Sequence, residues 1–227
     1  VIDGGDGVDT LTARYVIDGD TTVAPSVVNV ENVIIETDEG AAGDHELNFN
    51  ASMTGLSEIR VRNAEATDAA GTDDINITSI ALGVDVAIEN GDGVFDVDFQ
   101  YASVTGSTDA ATLKVAAADA ETVTIAGIET LTINAESGAS AIATLTATAA
   151  TTVNVTGSGG LTVTNIDDAT TTFNASTSTG AMSIAGAGDV DMAITAGSGG
   201  MTADLSGTTV DNNDSFTGGA GTDRLIV

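Results

Sequence analysis

The second half of the chain alternates, and the alternation limits what it can fold into. Thr112-Leu113-Lys114-Val115, Thr122-Val123-Thr124-Ile125, Thr130-Leu131-Thr132-Ile133, Thr152-Val153-Asn154-Val155 and Gly160-Leu161-Thr162-Val163 each place an aliphatic residue at every second position. A period of two marks a half-buried strand, with Val, Leu and Ile facing in and Thr or Asn facing out. These strands recur about every eight to ten residues, with some longer gaps, and continue through Phe173, Met182 and Ile184, Met192 and Ile194, and Met201. Ser137-Gly138-Ala139-Ser140, Gly157-Ser158-Gly159-Gly160 and Gly197-Ser198-Gly199-Gly200 lie between them as corners. Strands this short cannot each form a long hairpin ladder, but stacked as parallel rungs they share one core. The expected fold is therefore all-β, a right-handed parallel β-helix or β-roll solenoid running as one elongated segment over residues 1–227. A β-sandwich is the alternative; it needs spacings that alternate between tight turns and long crossings, and these do not.

The first half is less metrical. Val30-Glu31-Asn32-Val33-Ile34-Ile35 recurs as Ile128-Glu129-Thr130-Leu131-Thr132-Ile133 and more loosely as Leu56-Ser57-Glu58-Ile59-Arg60-Val61. With φ standing for an aliphatic residue, this φ-x-x-φ-x-φ unit predicts one strand per copy. Residues 13–27 read as a strand and a loop, with Pro25 on an exposed excursion. Hydrophobic residues are 42% of the chain but aromatics only 3%, with no Trp, so the core must be thin. One proline and 27 glycines suit solenoid corners, which need φ > 0 and cannot spare ladder donors.

Charge narrows the function. Thirty-four acidic residues face five basic ones, Arg14, Arg60, Arg62, Lys114 and Arg224, for a formal net charge of −29. Nucleic acid is excluded as a partner by repulsion. Bound calcium ranks first among explanations, ahead of a saline habitat with solvated faces. Disorder falls last because aliphatic alternation is sustained. Without divalent cations, self-repulsion at this charge loosens the compact state. Cysteine is absent, so metal ions replace disulfides as the expected clamp. No run of 18 apolar residues argues for membrane insertion. With no signal peptide and no Met at position 1, the sequence reads as an excised or processed segment.

Gly4-Gly5-Asp6-Gly7-Val8-Asp9-Thr10-Leu11-Thr12 and Gly218-Gly219-Ala220-Gly221-Thr222-Asp223-Arg224-Leu225-Ile226 both fit G-G-x-G-x-D-x-U-x without a mismatch. Leu11 is expected to point inward. Gly71-Thr72-Asp73-Asp74-Ile75 fits only the second half of that pattern, with Asp73 in the aspartate position. In Asn90-Gly91-Asp92-Gly93-Val94-Phe95-Asp96 the aspartate arrives one residue late. Asp92 and Asp96 could share a Ca²⁺, which accepts flexible oxygen geometry, or the segment is a hairpin-like corner with solvated acids. Asp211-Asn212-Asn213-Asp214-Ser215-Phe216-Thr217 is a nonapeptide tail, with Asp214 in the aspartate position and Phe216 inward, and it runs straight into the last perfect copy.

Other chemistry is thin. Asp44-His45-Glu46 invites a metal or catalytic reading, but a single histidine in an acidic loop reads as a solvated side chain. No serine lies in a G-x-S-x-G setting, and five cations spread along the chain do not make a sugar-binding groove, so no enzyme is expected. The Thr-x-Thr pairs Thr122/Thr124, Thr130/Thr132, Thr144/Thr146 and Thr162/Thr164 are interrupted by other rungs. That argues against a uniform ice-binding array, and Thr favours strands on its own account. Asn-x-Ser/Thr sequons at Asn50, Asn76, Asn154, Asn174 and Asn213 arise easily by chance in a Thr-rich chain.

The two nonapeptides are similar to the calcium-binding β-roll repeat of RTX proteins, in which the turn and its aspartate hold Ca²⁺ and the last three residues form a strand. With its Ala/Thr/Val/Gly-rich rungs and Gly127-Ile128-Glu129-Thr130-Leu131-Thr132-Ile133, the chain resembles a segment of a bacterial RTX-type surface-layer protein. The resemblance implies multiple bound Ca²⁺ ions, type I secretion in an unfolded state, folding outside the cell, and assembly into a cell-surface lattice or filament, with a surface polysaccharide as anchor. By position it implies Asp9, Asp214 and Asp223 as calcium carboxylates, and Gly4, Gly5, Gly7, Gly218, Gly219 and Gly221 as turn residues lending carbonyls. Asp6, Gly71, Asp73, Asp92, Asp96 and Asn212 complete the candidate set. An ion held between neighbouring repeats would fall at residues 212–223. An RTX adhesin or phage-like fibre segment that binds a surface glycan is the alternative function.

Overall fold

The computed structural model describes residues 1–15, 21–37, 45–49, 53–63, 74–91, 95–186, 191–208 and 210–227. Every regular element among them is a strand. The first half holds β1 (Ile2–Asp3), β2 (Thr10–Tyr15), β3 (Thr21–Val23), β4 (Val27–Val28), β5 (Asn32–Thr37), β6 (His45–Asn48), β7 (Glu58–Arg62), β8 (Asp74–Ile80), β9 (Asp85–Glu89) and β10 (Asp96–Tyr101). Then follow β11 (Ala110–Ala116), β12 (Asp119–Thr124), β13 (Thr130–Ser137), β14 (Ala139–Thr146), β15 (Thr152–Gly157) and β16 (Gly160–Asn165). The last are β17 (Thr172–Asn174), β18 (Met182–Ala185), β19 (Ala193–Thr195), β20 (Met201–Asp204), β21 (Ser215–Thr217) and β22 (Arg224–Ile226).

β1 and β4 pair in parallel as a small separate sheet, and the other strands fall alternately into two ten-stranded sheets. β2, β5, β7 and the odd strands from β9 to β21 make the first; β3, β6 and the even strands from β8 to β22 make the second. Neighbouring strands pair in parallel throughout. Each coil thus gives one strand to each sheet, and the chain is the parallel β-solenoid that the alternation predicts. From β11 onward, side-chain hydrogen bonds between successive coils join residues 20 to 22 apart. Earlier coils are longer, with such separations reaching 26, 29 and 32.

The core is the seam between the two inner faces. Leu131, Val153, Phe173 and Ile194 stack in register on the first sheet, all buried, and Phe216 extends the stack half-buried. Ile142, Val163, Ile184 and Ala203 do the same on the second. Only parallel stacking in register keeps each inward aliphatic over another, because a one-residue slip would turn the whole set to solvent. The three φ-x-x-φ-x-φ units become β5, β7 and β13, all in the first sheet, and the leading Val30 and Ile128 are buried at the corner before the strand.

Corners leave the first sheet through left-handed residues: Asn63 (φ 51), Asn90 (φ 54), Ala117 (φ 47) and Gly138 (φ 70). Each of the first three donates its backbone N–H to the strand above, Asn63 to Glu89, Asn90 to Ala116 and Ala117 to Ser137. Glycines then let successive corners touch. A Cβ on Gly180 would overlap the Gly159 carbonyl, and one on Gly199 the Gly180 carbonyl.

His45 departs from expectation. It is 3% exposed, not solvated. The alternation His45, Glu46, Leu47, Asn48 makes β6 a strand with His45 and Leu47 on the inner face, so the local pattern outweighs the acidic neighbours.

Candidate metal centre at the glycine-rich turns

The N-terminal nonapeptide forms an open turn ahead of β2. Gly5 (φ 88) and Gly7 (φ 128) take conformations that L side chains rarely adopt. Asp3 Oδ1 accepts the Gly5 N–H at 3.1 Å and the Asn29 Nδ2 amide at 2.9 Å. The next coil answers with Glu31, whose Oε2 accepts the Asp9 N–H at 2.8 Å. Gly4 must be glycine because a Cβ would overlap the Asn29 carbonyl oxygen. Asp9 Oδ2 is buried and has no hydrogen-bond partner among the described residues. Asp6 stands exposed at the tip.

The C-terminal turns are closed differently. Asp223 Oδ2 accepts the Gly219 N–H at 2.7 Å within its own turn, and Oδ1 accepts the Met201 N–H of the preceding coil at 3.0 Å. Asp214 repeats the arrangement, taking the Asp211 N–H and the Met192 N–H, each at 2.8 Å. Those two bonds hold the Asp214 carboxyl below its usual range. Asn212 is exposed, and neighbouring Asn213 donates to Asp191 of the preceding coil at 3.4 Å.

Asp214 and Asp223 do not form one centre. The turn of Asp214 leads into β21 of the first sheet and that of Asp223 into β22 of the second, so the two turns lie on opposite edges. Consecutive nonapeptides always do this in a two-sheet coil, and an expected ion at 212–223 overlooked it. The stacking partner of Gly218–Asp223 is the Gly197–Gly200 corner: a Cβ on Gly219 would overlap the Gly197 carbonyl oxygen, and one on Gly221 the Gly200 nitrogen.

Of the remaining candidates, Gly71, Asp73 and Asp92 lie outside the described residues. Asp96 opens β10 and sits on the outer face of the second sheet, two residues from Asp98. One oxygen of each is buried without a partner among the described residues, while Asp98 Oδ2 accepts the Gln100 amide at 2.7 Å. Thr122 and Thr124 align with Thr144 and Thr146, but the next rung sets Thr144 against Asn165 and Thr162 against Ala141, so the threonine array breaks there.

Two devices escaped the sequence reading. The first is the corner carboxylate that accepts a backbone N–H from the coil before it. Glu129 Oε2 takes Asp109 N at 2.8 Å and Asp167 Oδ2 takes Ala147 N at 3.0 Å, just as Glu31 takes Asp9 N. The shared Val30-Glu31 and Ile128-Glu129 positions of the internal repeat were the available signal.

The second device is a charge ladder on the outer face of the first sheet. Arg60 meets Glu58, Glu89 and Glu136 at 2.9, 3.3 and 3.2 Å; Lys114 meets Glu58 and Asp85 at 2.7 and 2.8 Å; Arg62 meets Glu36 at 2.6 Å. Cations scattered in sequence are gathered by strand register, Glu36 against Arg62 and Arg62 against Glu89. Burial alone would push the Glu58 carboxyl up, but hydrogen bonds from Lys114 and Arg60 outweigh it and hold it below its ordinary value.

A calcium ion takes six to eight oxygens, commonly with several carboxylates. Among the described residues no three of His, Cys, Asp or Glu gather as a ready-made site. The N-terminal turn fits an ion in one respect: Asp9 Oδ2 is a buried oxygen, partnerless among the described residues, that a cation would satisfy. At Asp214 and Asp223 both oxygens already accept N–H donors. A cleft of about 440 Å³ beside Phe49, Met53, Leu56 and Val84 has no titratable side chain among its described lining residues. Among the described residues no helix is long and apolar enough to cross a membrane. Comparison with protein-family models, curated proteins and solved structures finds no match.

Proposed function

We propose that the chain is a structural, calcium-binding component of an extracellular assembly, a surface-layer lattice or filament whose folding and self-association are driven by Ca²⁺. The supporting observation is the long two-sheet solenoid itself. Its inward side chains are spent on a continuous core and its outward ones on largely polar faces, the architecture of a body that presents surfaces. The charge of −29 supplies the driving logic. Ca²⁺ binds the folded turns and not the unfolded chain, so its binding free energy becomes folding free energy, about 2.7 kcal/mol at a hundredfold excess over Kd. Calcium also screens self-repulsion and can bridge exposed acids between subunits. Low calcium inside a cell and high calcium outside would confine folding and assembly to the exterior.

The test uses the purified chain in EGTA and in millimolar Ca²⁺. Circular dichroism should report more β-structure with calcium, and electron microscopy should find ordered sheets or filaments. A chain that sediments as a monomer at every calcium concentration would refute assembly. Identical β-structure and stability in EGTA would refute the calcium part.

A further inference from the structure

We infer that the C-terminal nonapeptide, although it matches the consensus without a mismatch, closes its coil without metal. Asp223 acts there as a hydrogen-bond staple between coils, and any calcium dependence resides in the first half of the chain, where Asp9, Asp96 and Asp98 each keep a buried oxygen without a partner among the described residues. The second clause rests on the calcium reading above; the first does not.

Both Asp223 oxygens already accept a backbone N–H, whereas Asp9 Oδ2 has no partner among the described residues. One carboxylate oxygen closes its own turn through Gly219 N–H and the other reaches the preceding coil through Met201 N–H. Carboxylates in turns without the nonapeptide make the same cross-coil bond, Glu129 to Asp109 and Asp167 to Ala147. The aspartate of G-G-x-G-x-D is thus doing what corner carboxylates do elsewhere in this solenoid.

The glycines have an equal explanation. Gly219 and Gly221 are required because their corner lies against Gly197 and Gly200, where a Cβ would overlap backbone. The ligand count also fails. Asp223 is the only carboxylate in Gly218–Asp223, and the corner stacked on it, Gly197-Ser198-Gly199-Gly200, has none. Two charge-assisted bonds to backbone N–H give each carboxylate oxygen a partner, and nothing else in the two stacked turns supplies negative charge for a divalent ion. At the other end, Asp9 keeps a buried oxygen without a partner among the described residues, Asp3 and Asp6 share its turn, and Glu31 lies on the facing coil.

Residue-specific amide exchange on the whole chain, in Ca²⁺ and in EGTA, tests this. The Met201 and Gly219 amides should be equally protected in both conditions. Protection that appears only with calcium would overturn the proposal. Asp223→Asn should speed exchange at one or both amides by about tenfold in both conditions while leaving the number of bound Ca²⁺ ions unchanged. Loss of one calcium equivalent would overturn it. Asp9→Asn is the counterpart, expected to lower calcium uptake and leave Met201 and Gly219 untouched. If the chain takes up no calcium at all, the calcium reading fails, and exchange at Met201 and Gly219 in EGTA still decides the staple.

Discussion

Replacing Gly180 by alanine should cost far more than the same change at Gly207, and the difference can be worked from the corner stack. A Cβ on Gly180 would overlap the Gly159 carbonyl oxygen, lie 2.5 Å from its carbon and stand 3.0 Å from the Ser158 oxygen. All three are backbone atoms, so no rotamer change gives relief. Coils stack about 4.8 Å apart, and the sheet on either side fixes that spacing. The corners must therefore part locally. That strains Thr179 N to Gly157 O (2.9 Å) and Leu161 N to Ala181 O (3.0 Å). Overpacking costs about 1–3 kcal/mol and each weakened backbone bond up to about 1 kcal/mol, so about 3 kcal/mol is expected. For a chain of this size that is a fall in Tm of about 6–12 °C. Gly207 is exposed, is not in the left-handed region and has nothing within 4 Å of an added Cβ. Alanine there should be neutral or stabilise by up to about 1 kcal/mol, by restricting the unfolded chain. Urea titrations of both variants at one fixed calcium concentration give the comparison. If the two agree within about 0.5 kcal/mol, close backbone approach is not what requires glycine at this corner.

Arg60→Met should destabilise by about 2 kcal/mol, between the values for exposed and buried pairs, because Glu58, Glu89 and Glu136 lose a shared cation. The same ladder is acid-sensitive. The Glu58 carboxyl lies below its ordinary value when folded, so its contribution is complete above the unfolded value and is lost as pH falls through the lowered one. Urea midpoints across acidic pH should fall more steeply for the native chain than for Arg60→Met. Ala117 occupies φ 47 at an exposed corner where the equivalent residues of earlier coils are Asn63 and Asn90. Ala117→Asn should therefore stabilise by about 0.5–1 kcal/mol in a thermal melt. His45, 3% exposed, should resist modification by diethyl pyrocarbonate until the chain is unfolded in urea.

Fold was legible wherever side-chain alternation alone determines facing. Leu131, Val153 and Phe173 could be placed in the core from period two, and their stacking as parallel rungs followed because strands this short share a core that way, but which strands share a sheet did not follow. The site was less legible, for two reasons. A nonapeptide specifies its turn, but which turn it stacks on depends on coil length, so pairing Asp214 with Asp223 across a single strand was natural in sequence and wrong in space. The charge ladder fails similarly: Arg60 and Glu136 lie 76 residues apart, and only the register of intervening strands brings them together. His45 was misread because local composition was weighed above alternation, although Leu47 and Phe49 already marked it as inward.

The two halves hold their coils by different means, and this bears on the order of folding. Residues 1–109 carry 22 of the 34 acidic side chains, and their longer coils are tied by ion pairs such as Arg62–Glu36. Residues 110–227 carry 12. Their coils repeat every 19 to 22 residues and are joined by glycine contacts, carboxylate staples and uncharged ladders such as Asn174–Asn154 and Thr156–Asn134. Shorter coils cost less closure entropy, and a less charged segment repels itself less. A one-dimensional solenoid nucleates where local coil stability is highest and propagates from there. Nucleation should therefore begin between β11 and β20, with the first half added against that template once cations relieve its repulsion. Pulse-labelled amide exchange during refolding checks the order. Val155 and Val163 should gain protection before Ile59 and Val86, and raising NaCl or Ca²⁺ should speed only the later phase. Simultaneous protection of both halves, or a salt-sensitive early phase, would refute this division of labour.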